Sequence, residues 1–304
     1  MSVLNQEPSA DDILTGEVVG IYRETDDNTP VLDQFSATLV LGTDQVRIPR
    51  SKMTTLDMTA LNRQQHEAGL STLTLADTAN RYLRNRIGSE IDFVVTGEEH
   101  VGKGMKVIYG DRVAAMSLRR KEWFQKDDSG NYIMAAGVSK KARVVNVAKR
   151  GIRVELSGVE TFIDNHDLFW DPFNDTKLVY HIGDKVSVLI KEFYRNEADG
   201  SVTELHLSVK ELYTNPRDTA LELYPVGGTF KGIVKQVKYS EAQGRNMYFV
   251  TLPGGVIVAC RLARKLGKEP LRGDDVVIVI TNCQKQKRNL YGQILQFEPH
   301  KDDR

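Results

Sequence analysis

"ARVVNVAKRGIRVELSGVETFIDNHDLF", Ala142 to Phe169, is the stretch whose reading decides the fold. Apolar residues alternate with polar ones at Val145, Val147, Ile152, Val154 and Leu156, the pattern breaks at Gly151 and Gly158, and a further run continues through Phe162 and Ile163. Period-two alternation punctuated by glycine reads as short strands joined by tight turns. A loop containing "FWDPF" follows, then "HIGDKVSVLIKEF" (His181 to Phe193), a turn at "NEADGS" and "VTELHLSVKEL" ending at Leu212. Five antiparallel strands with a longer insertion between the third and fourth describe an OB fold, a small Greek-key barrel.

The unit recurs on both sides, at intervals of roughly 80 to 110 residues, which is a domain-sized repeat rather than a solenoid period. The C-terminal copy runs through "GGTFKGIVKQVKYS", "NMYFVTLPGGVIVACRL", "LRGDDVVIVITNCQ" and "LYGQILQF" (Gly227 to Phe297). The N-terminal copy opens with "LTGEVVGIYRE" and "FSATLVLGTDQVRIPRSKM", and reaches "IGSEIDFVVTG" and "KVIYGDRVAAMSLRRKEWF" only after an insertion. Within that insertion "TLADTANRYLRNRIG" reads as a helix, with Thr74 as N-cap, Asp77 completing a capping box, and Leu75, Ala79, Tyr82 and Leu83 on one face. The expected architecture is mainly β, three tandem five-stranded OB-fold barrels, the first with a helical insertion near 54–87. The barrels are expected over 13–120, 135–212 and 225–297, with tails at 1–12 (disordered) and 298–304.

"VTGEEHVGKGMKVI" (Val95 to Ile108) carries most of a P-loop, but Gly104 stands where that motif needs Ser or Thr for magnesium. The residues after it are β-branched and apolar rather than helical, so the segment reads as a hairpin between the fourth and fifth strands of the first barrel.

With 40% hydrophobic and 27% charged residues the chain has ordinary soluble composition. No secretory leader and no membrane span is read from it, so it is expected in the cytoplasm. Cys260 and Cys283 form no CxxC or Cys/His cluster, and the six histidines show no ligand spacing, so neither a metal nor another cofactor is expected. No Ser/His/Asp or Cys/His arrangement emerges, and three barrels leave no segment for a catalytic domain. The zero net charge hides a polarity: Pro225 to Phe297 holds twelve Lys or Arg against four carboxylates, whereas the first 60 residues hold ten carboxylates against four cations. A basic C-terminal copy suits an anionic partner, and a solvated surface is the other reading.

The junction "LHLSVKELYTNPRDTALELYPVGGTFKGIV" (Leu205 to Val234), with "RIPRSKM" and "VETFIDNHDL", resembles the repeated RNA-binding OB-fold domain of bacterial ribosomal protein S1. The resemblance implies RNA lying across strands two and three, on two aromatics around the strand-two glycine, a strand-three His and charged residues near the last hairpin. By position, the middle copy has Arg150 and Arg153 where the aromatics would be and Asp164 at the His position, with Lys149 and His166 nearby. The first has Phe35, then Thr38, with Pro49 at the His position and Arg50 beside it. The third has Asn246, then Phe249, with Arg261 at the His position, and Arg245 and Lys285 add charge. Guanidinium planes can stack on unpaired bases and meet phosphate, at the expense of greater salt sensitivity. Tyr248 and Phe249 are adjacent on a strand and must face opposite ways; the resemblance favours Phe249 as the exposed one.

"SLRRKEWFQK" could clamp phosphate or pack Trp123 and Phe124 on the first barrel; packing is expected. "LFWDPF" is expected to plug the open end of a barrel rather than bind a ligand. These readings give a non-enzymatic, monomeric protein binding single-stranded RNA or mRNA, in translation or on the small ribosomal subunit, its weak modules gaining affinity by linkage. The acidic first copy supports a different class, a protein-docking adaptor on a ribosome or polymerase with weak RNA affinity. A third reading is an accessory subunit of a ribonuclease.

Overall fold

The computed structural model describes residues 9, 12–24, 29–67, 69, 72–101, 105–263, 268–284 and 289–299. Residues 1–8 and 300–304, which hold most of the expected tails, and the hairpin tip 102–104 lie outside the described residues. Among those described, the strands form three five-stranded sheets.

The first sheet comprises β1 (Leu14–Arg23), β2 (Phe35–Leu41), β3 (Asp44–Pro49), β4 (Glu90–Val101) and β5 (Met105–Asp111), closed in the order β1-β2-β3-β5-β4. The P-loop-like segment is the β4–β5 hairpin. Between β3 and β4 lie α1 (Arg50–Met53), α2 (Met58–Glu67) and α3 (Leu75–Arg84). Helix α3 begins where the sequence places it: Thr74 Oγ1 accepts from the Asp77 amide at 3.1 Å, and Ala79 and Leu83 are buried. Helix α2 was not anticipated, because its mostly polar sequence MTALNRQQHE buries only Met58. After β5 comes α4 (Arg112–Arg120), capped by Asp111, and a 3-10 turn over Lys121–Phe124.

The middle sheet holds β6 (Ser139–Ala148), β7 (Gly151–Leu156), β8 (Val159–Asp164), β9 (Lys185–Asn196) and β10 (Ser201–Ser208), with α5 (Asn165–Leu168) and α6 (Thr176–Val179) between β8 and β9. After α7 (Pro216–Leu223), β11 (Thr229–Ser240), β12 (Arg245–Thr251), β13 (Ile257–Leu262), β14 (Asp275–Gln284) and β15 (Asn289–Glu298) close as β11-β12-β13-β15-β14.

The strands are not all antiparallel as expected: β3 pairs with β5, and β13 with β15, in parallel. Five strands cannot alternate direction all the way round a closed ring, so one seam must be parallel. In the middle sheet that seam carries no ladder, and the order β10-β9-β6-β7-β8 stays open. The register of β10 slips between Thr203 and His206, where Glu204 takes a left-handed φ of 52°, and one side-chain bond, Thr161 Oγ1 donating to Leu205 O at 2.6 Å, spans the gap.

The three first strands share a device. Each has a register shift just after a fully buried valine, Val18, Val144 and Val234. A bulge there bends a strand sharply enough to pair with two neighbours around a small barrel. It also explains why Val144 and Val145 are both buried, although simple alternation would expose one. Inside the first barrel Leu39, Ile48, Ile91 and Phe93 make the core, and inside the third Tyr248, Val250, Val258, Ile278 and Ile294 do so.

The chain divides into two compact units: residues 1–164 with 176–208, and residues 165–175 with 209–304. In the first unit, the segment after α4 packs as expected, but onto the middle sheet. Trp123 is fully buried edge-on to Phe193, 4.9 Å between ring centroids, and its Nε1 donates to Ser157 O at 3.0 Å. Ser157 and Gly158 form the two-residue β7–β8 turn, both with positive φ (44° and 76°). A Cβ at Gly158 would sit 2.1 Å from Met116 O, so only glycine fits.

A buried ion cluster completes the join. Arg112 Nη2 donates to Glu155 Oε2 and Glu160 Oε1, each at 2.7 Å, and Arg86 makes a two-pronged contact with Glu160 at 2.7 Å. Burial opposes ionisation of Glu160, but the guanidiniums of Arg112 and Arg86 outweigh it and hold the carboxyl at about 2. Asp92 binds Arg143 and Arg119 at 2.9 and 2.8 Å and is also held below its usual range, burial being outweighed chiefly by Arg143. No described helix is long and apolar enough to cross a membrane.

Candidate nucleic-acid interface

Strands two and three of an OB fold present its nucleic-acid face; in the middle sheet these are β7 and β8. Ile152 and Val154 point inward, so Arg153 points out and is exposed. Its register partner on β8 is Phe162, 42% exposed, and its partner on β6 is Asn146. Lys149 and Arg150 occupy the exposed β6–β7 turn, so three cations and an aromatic ring share one surface. Gly151 is required beneath the ring, since a Cβ there would lie 2.8 Å from Phe162 Cζ and 2.1 Å from Ile163 O. Phe162 is not among the positions that the resemblance implies. The signal was present, since buried Ile163 forces its neighbour outward.

Arg153 also borders a cavity of about 700 Å³ in the first unit, lined by Tyr82, Arg86, Arg112, Asn146 and Glu160 among others. The mouth is therefore cationic, but the deepest guanidiniums are already committed to Glu155 and Glu160. His166 falls on α5, in the other unit, with its side chain 83% exposed and Nδ1 3.2 Å from Lys210 Nζ.

On the third barrel Tyr248 is 1% exposed and its hydroxyl donates to Glu269 Oε2 at 3.0 Å. Burial, helped by Glu269, pushes that phenol up to about 12. Phe249 therefore faces outward, as the resemblance favoured, in register with Ala259 on β13, which pairs with Tyr291 on β15. Arg261 is exposed beside them; with the Gln293 amide turned to present its oxygen, Arg261 donates to it from Nη2 and Nε at 3.1 and 3.2 Å. Arg245 is exposed at the start of β12, its Nε bonded to Gln243 at 3.2 Å. Lys285 lies outside the described residues. In the "FWDPF" loop, Phe173 lies against Phe249 of the third barrel, ring centroids 5.3 Å apart at 50°.

Two expectations for the first barrel are corrected. Phe35 is a core residue, 9% exposed: Ala37 and Leu39 face inward, and period two takes Phe35 with them. Arg50 is 6% exposed and braces the insertion, its Nη2 donating to Leu56 O at 2.8 Å. What this barrel shows instead is Arg47 over Tyr22, its Cζ 3.6 Å from the ring centroid, with Glu99 accepting from Tyr109 and Glu98 paired with Lys106. Among the described residues no group of three or more His, Cys, Asp or Glu side chains could hold a metal ion.

Residues 135–202 match the S1 RNA binding domain family. The small ribosomal subunit protein bS1 of Helicobacter pylori is 24% identical over 164 residues, 53% of this chain and 28% of that protein. The 4-hydroxy-3-methylbut-2-enyl diphosphate reductase of Clostridium acetobutylicum is 28% identical over 174 residues, 57% of this chain and 25% of that protein. The chain thus spans about a quarter of the length of the curated relatives it matches. Among solved structures, a multidomain protein with nucleic acid binding domains from Streptococcus pneumoniae is similar over 97% of this chain and 77% of that one, at 12% identity and a TM-score of 0.20. The chain thus carries an S1 RNA binding domain in its middle, with a closed five-stranded barrel of OB topology on either side of it in sequence.

Proposed function

We propose that the chain binds single-stranded RNA on the outer faces of β7–β8 and β12–β13 and acts in translation, on mRNA or the small ribosomal subunit. The observation that carries this reading is the pairing of Arg153 with Phe162, beside Lys149 and Arg150, on the outward face of a domain of the S1 RNA binding family. The ring offers a stacking surface to a base, and the cations meet phosphate. The translational role is supported by likeness to a small-subunit ribosomal protein. We read the protein as a binding protein rather than an enzyme.

A docking role for the first barrel is favoured by its own surface: the aromatic at the stacking position is in the core, and Glu98 and Glu99 line the β4–β5 hairpin. The two roles are compatible, the first barrel holding a protein while the outward faces of the other two domains hold RNA.

The test is binding of a short unstructured RNA to the full chain across a salt series. Replacing Lys149, Arg150 and Arg153 together by Ala is expected to weaken binding and to reduce the steepness of log K against log salt by about 2, since each single-strand phosphate contact contributes about 0.7. An unchanged affinity and slope would remove this face from consideration.

A further inference from the structure

The geometry points to a nucleobase pocket on the third barrel, one wall of which is Phe173, a residue carried in from the loop that follows the S1 domain's third strand. This inference rests on the RNA-binding reading and specifies where a base would be held.

The pocket is a recess of about 310 Å³, at the small end of ligand sites. Its floor is β13, where Ile257 and the small Ala259 face outward, and its sides are Phe249, Tyr291 and Phe173. Arg217, from α7, and Asn289 stand at the rim. Phe173 and Phe249 are too close to admit a ring between them, but they meet at a 50° tilt rather than in a closed stack, and both line the recess. Rings on the walls, an amide and a guanidinium at the rim are what an unpaired base requires: π-surface for its face and hydrogen-bonding groups for its edge. The surroundings are cationic. Arg261 lies on the same strand as Ala259, while Lys235 and Arg272 line a second recess on the other side of Pro172 and Phe173. An apolar peptide would leave the rim groups without use, whereas a nucleotide strand engages both base pocket and cations.

The loop is held in position at its stem as well as its tip. Lys210, 7% exposed, places its ammonium 4.9 Å from the Trp170 ring centroid and 3.9 Å from Asp167 Oδ1. Trp170 Nε1 donates to Tyr213 O at 3.3 Å, and Asp171 Oδ1 accepts from the Phe173 amide at 2.8 Å, fixing the turn that aims the ring. So Lys210, in the "LSVK" of the S1-like junction (Leu207 to Lys210), has a mechanical role here: it anchors the loop that builds the pocket.

The test compares the full chain with Phe173→Ala and with Phe173→Leu, which keeps apolar volume but removes the π-face, against a short unstructured RNA and the same RNA with single abasic positions. In the wild type at least one abasic position is expected to weaken binding roughly fivefold or more, the low end of a base–aromatic stack. Both variants are expected to bind the intact RNA more weakly by a similar factor and to lose the abasic effect at that position. Variants that bind as well as wild type, or that bind more tightly because Phe173 had been blocking Phe249, would overturn the pocket while leaving RNA binding intact. A wild-type chain that binds no RNA at low salt would overturn both readings.

Discussion

Replacing Glu160 by Gln removes one charge and leaves the side chain's shape, so it isolates the ion cluster joining the first barrel to the middle sheet. In the wild type, Glu160 accepts from Arg86 at both of its oxygens and from Arg112 at one, and its side chain is only 16% exposed. After the substitution Arg112 keeps Glu155 and Met53 O, but Arg86 loses its countercharge and one of its two acceptor oxygens on residue 160, with the Tyr82 hydroxyl still at 3.1 Å. The carboxyl is pulled from its ordinary 4.5 to about 2, which at about 1.4 kcal/mol per pH unit corresponds to about 3 kcal/mol of stability at neutral pH. That agrees with roughly 3–5 kcal/mol for breaking a buried pair from one side. Because the folded-state value is depressed, the unfolded chain binds the proton more readily between about pH 2 and 4.5. This contribution is therefore complete above that range and is lost as pH falls through it. Thermal unfolding followed by tryptophan fluorescence in a Trp170→Phe background, so that Trp123 alone reports, should show the first unit's transition lowered by roughly 6–12 °C at pH 7, and the gap between this background with and without the Glu160 change should close on acidification toward pH 2. A loss below about 1 kcal/mol, or a gap that does not change with pH, would refute the assigned role of the cluster.

Gly158→Ala is expected to destabilise the same unit by roughly 1–3 kcal/mol, because the residue combines a positive φ with a backbone oxygen 2.1 Å from the added methyl; denaturant unfolding measures it. Phe35→Leu and Phe162→Leu should separate cleanly in a paired measurement of stability and RNA affinity. The Phe35 change lowers stability by about 1 kcal/mol and leaves affinity alone, whereas the Phe162 change leaves stability within about 0.5 kcal/mol and weakens RNA binding roughly fivefold or more.

The β character, the three copies, the α3 cap and the hairpin in place of a P-loop were all legible, because each rests on local periodicity or turn chemistry. The parallel seams, and the missing ladder beside β10, were not, since they depend on strand order around a ring rather than on any one strand. At the candidate interface, alternation required Tyr248 and Phe249 to face opposite ways without saying which faces out, and the resemblance supplied both Phe249 and the position of Arg153. Phe35 was misplaced when a position suggested by resemblance was preferred to the phase set by Ala37 and Leu39. Phe162 was overlooked for the same reason. The contact of Phe173 with Phe249 joins residues 76 positions apart through a loop, and no local signal announces it. Trp123 sealing the β7–β8 turn is a similar case, with aromatic packing anticipated and its partner not.

The most direct test of the central claim is ultraviolet cross-linking of the full chain to a short unstructured RNA, with the modified peptides identified by mass spectrometry. RNA held on the outward OB faces is expected to leave adducts on peptides containing Phe162 and on those containing Phe249 or Tyr291, with both sets declining as salt is raised. Adducts confined to the first barrel, or none at low salt, would contradict the account.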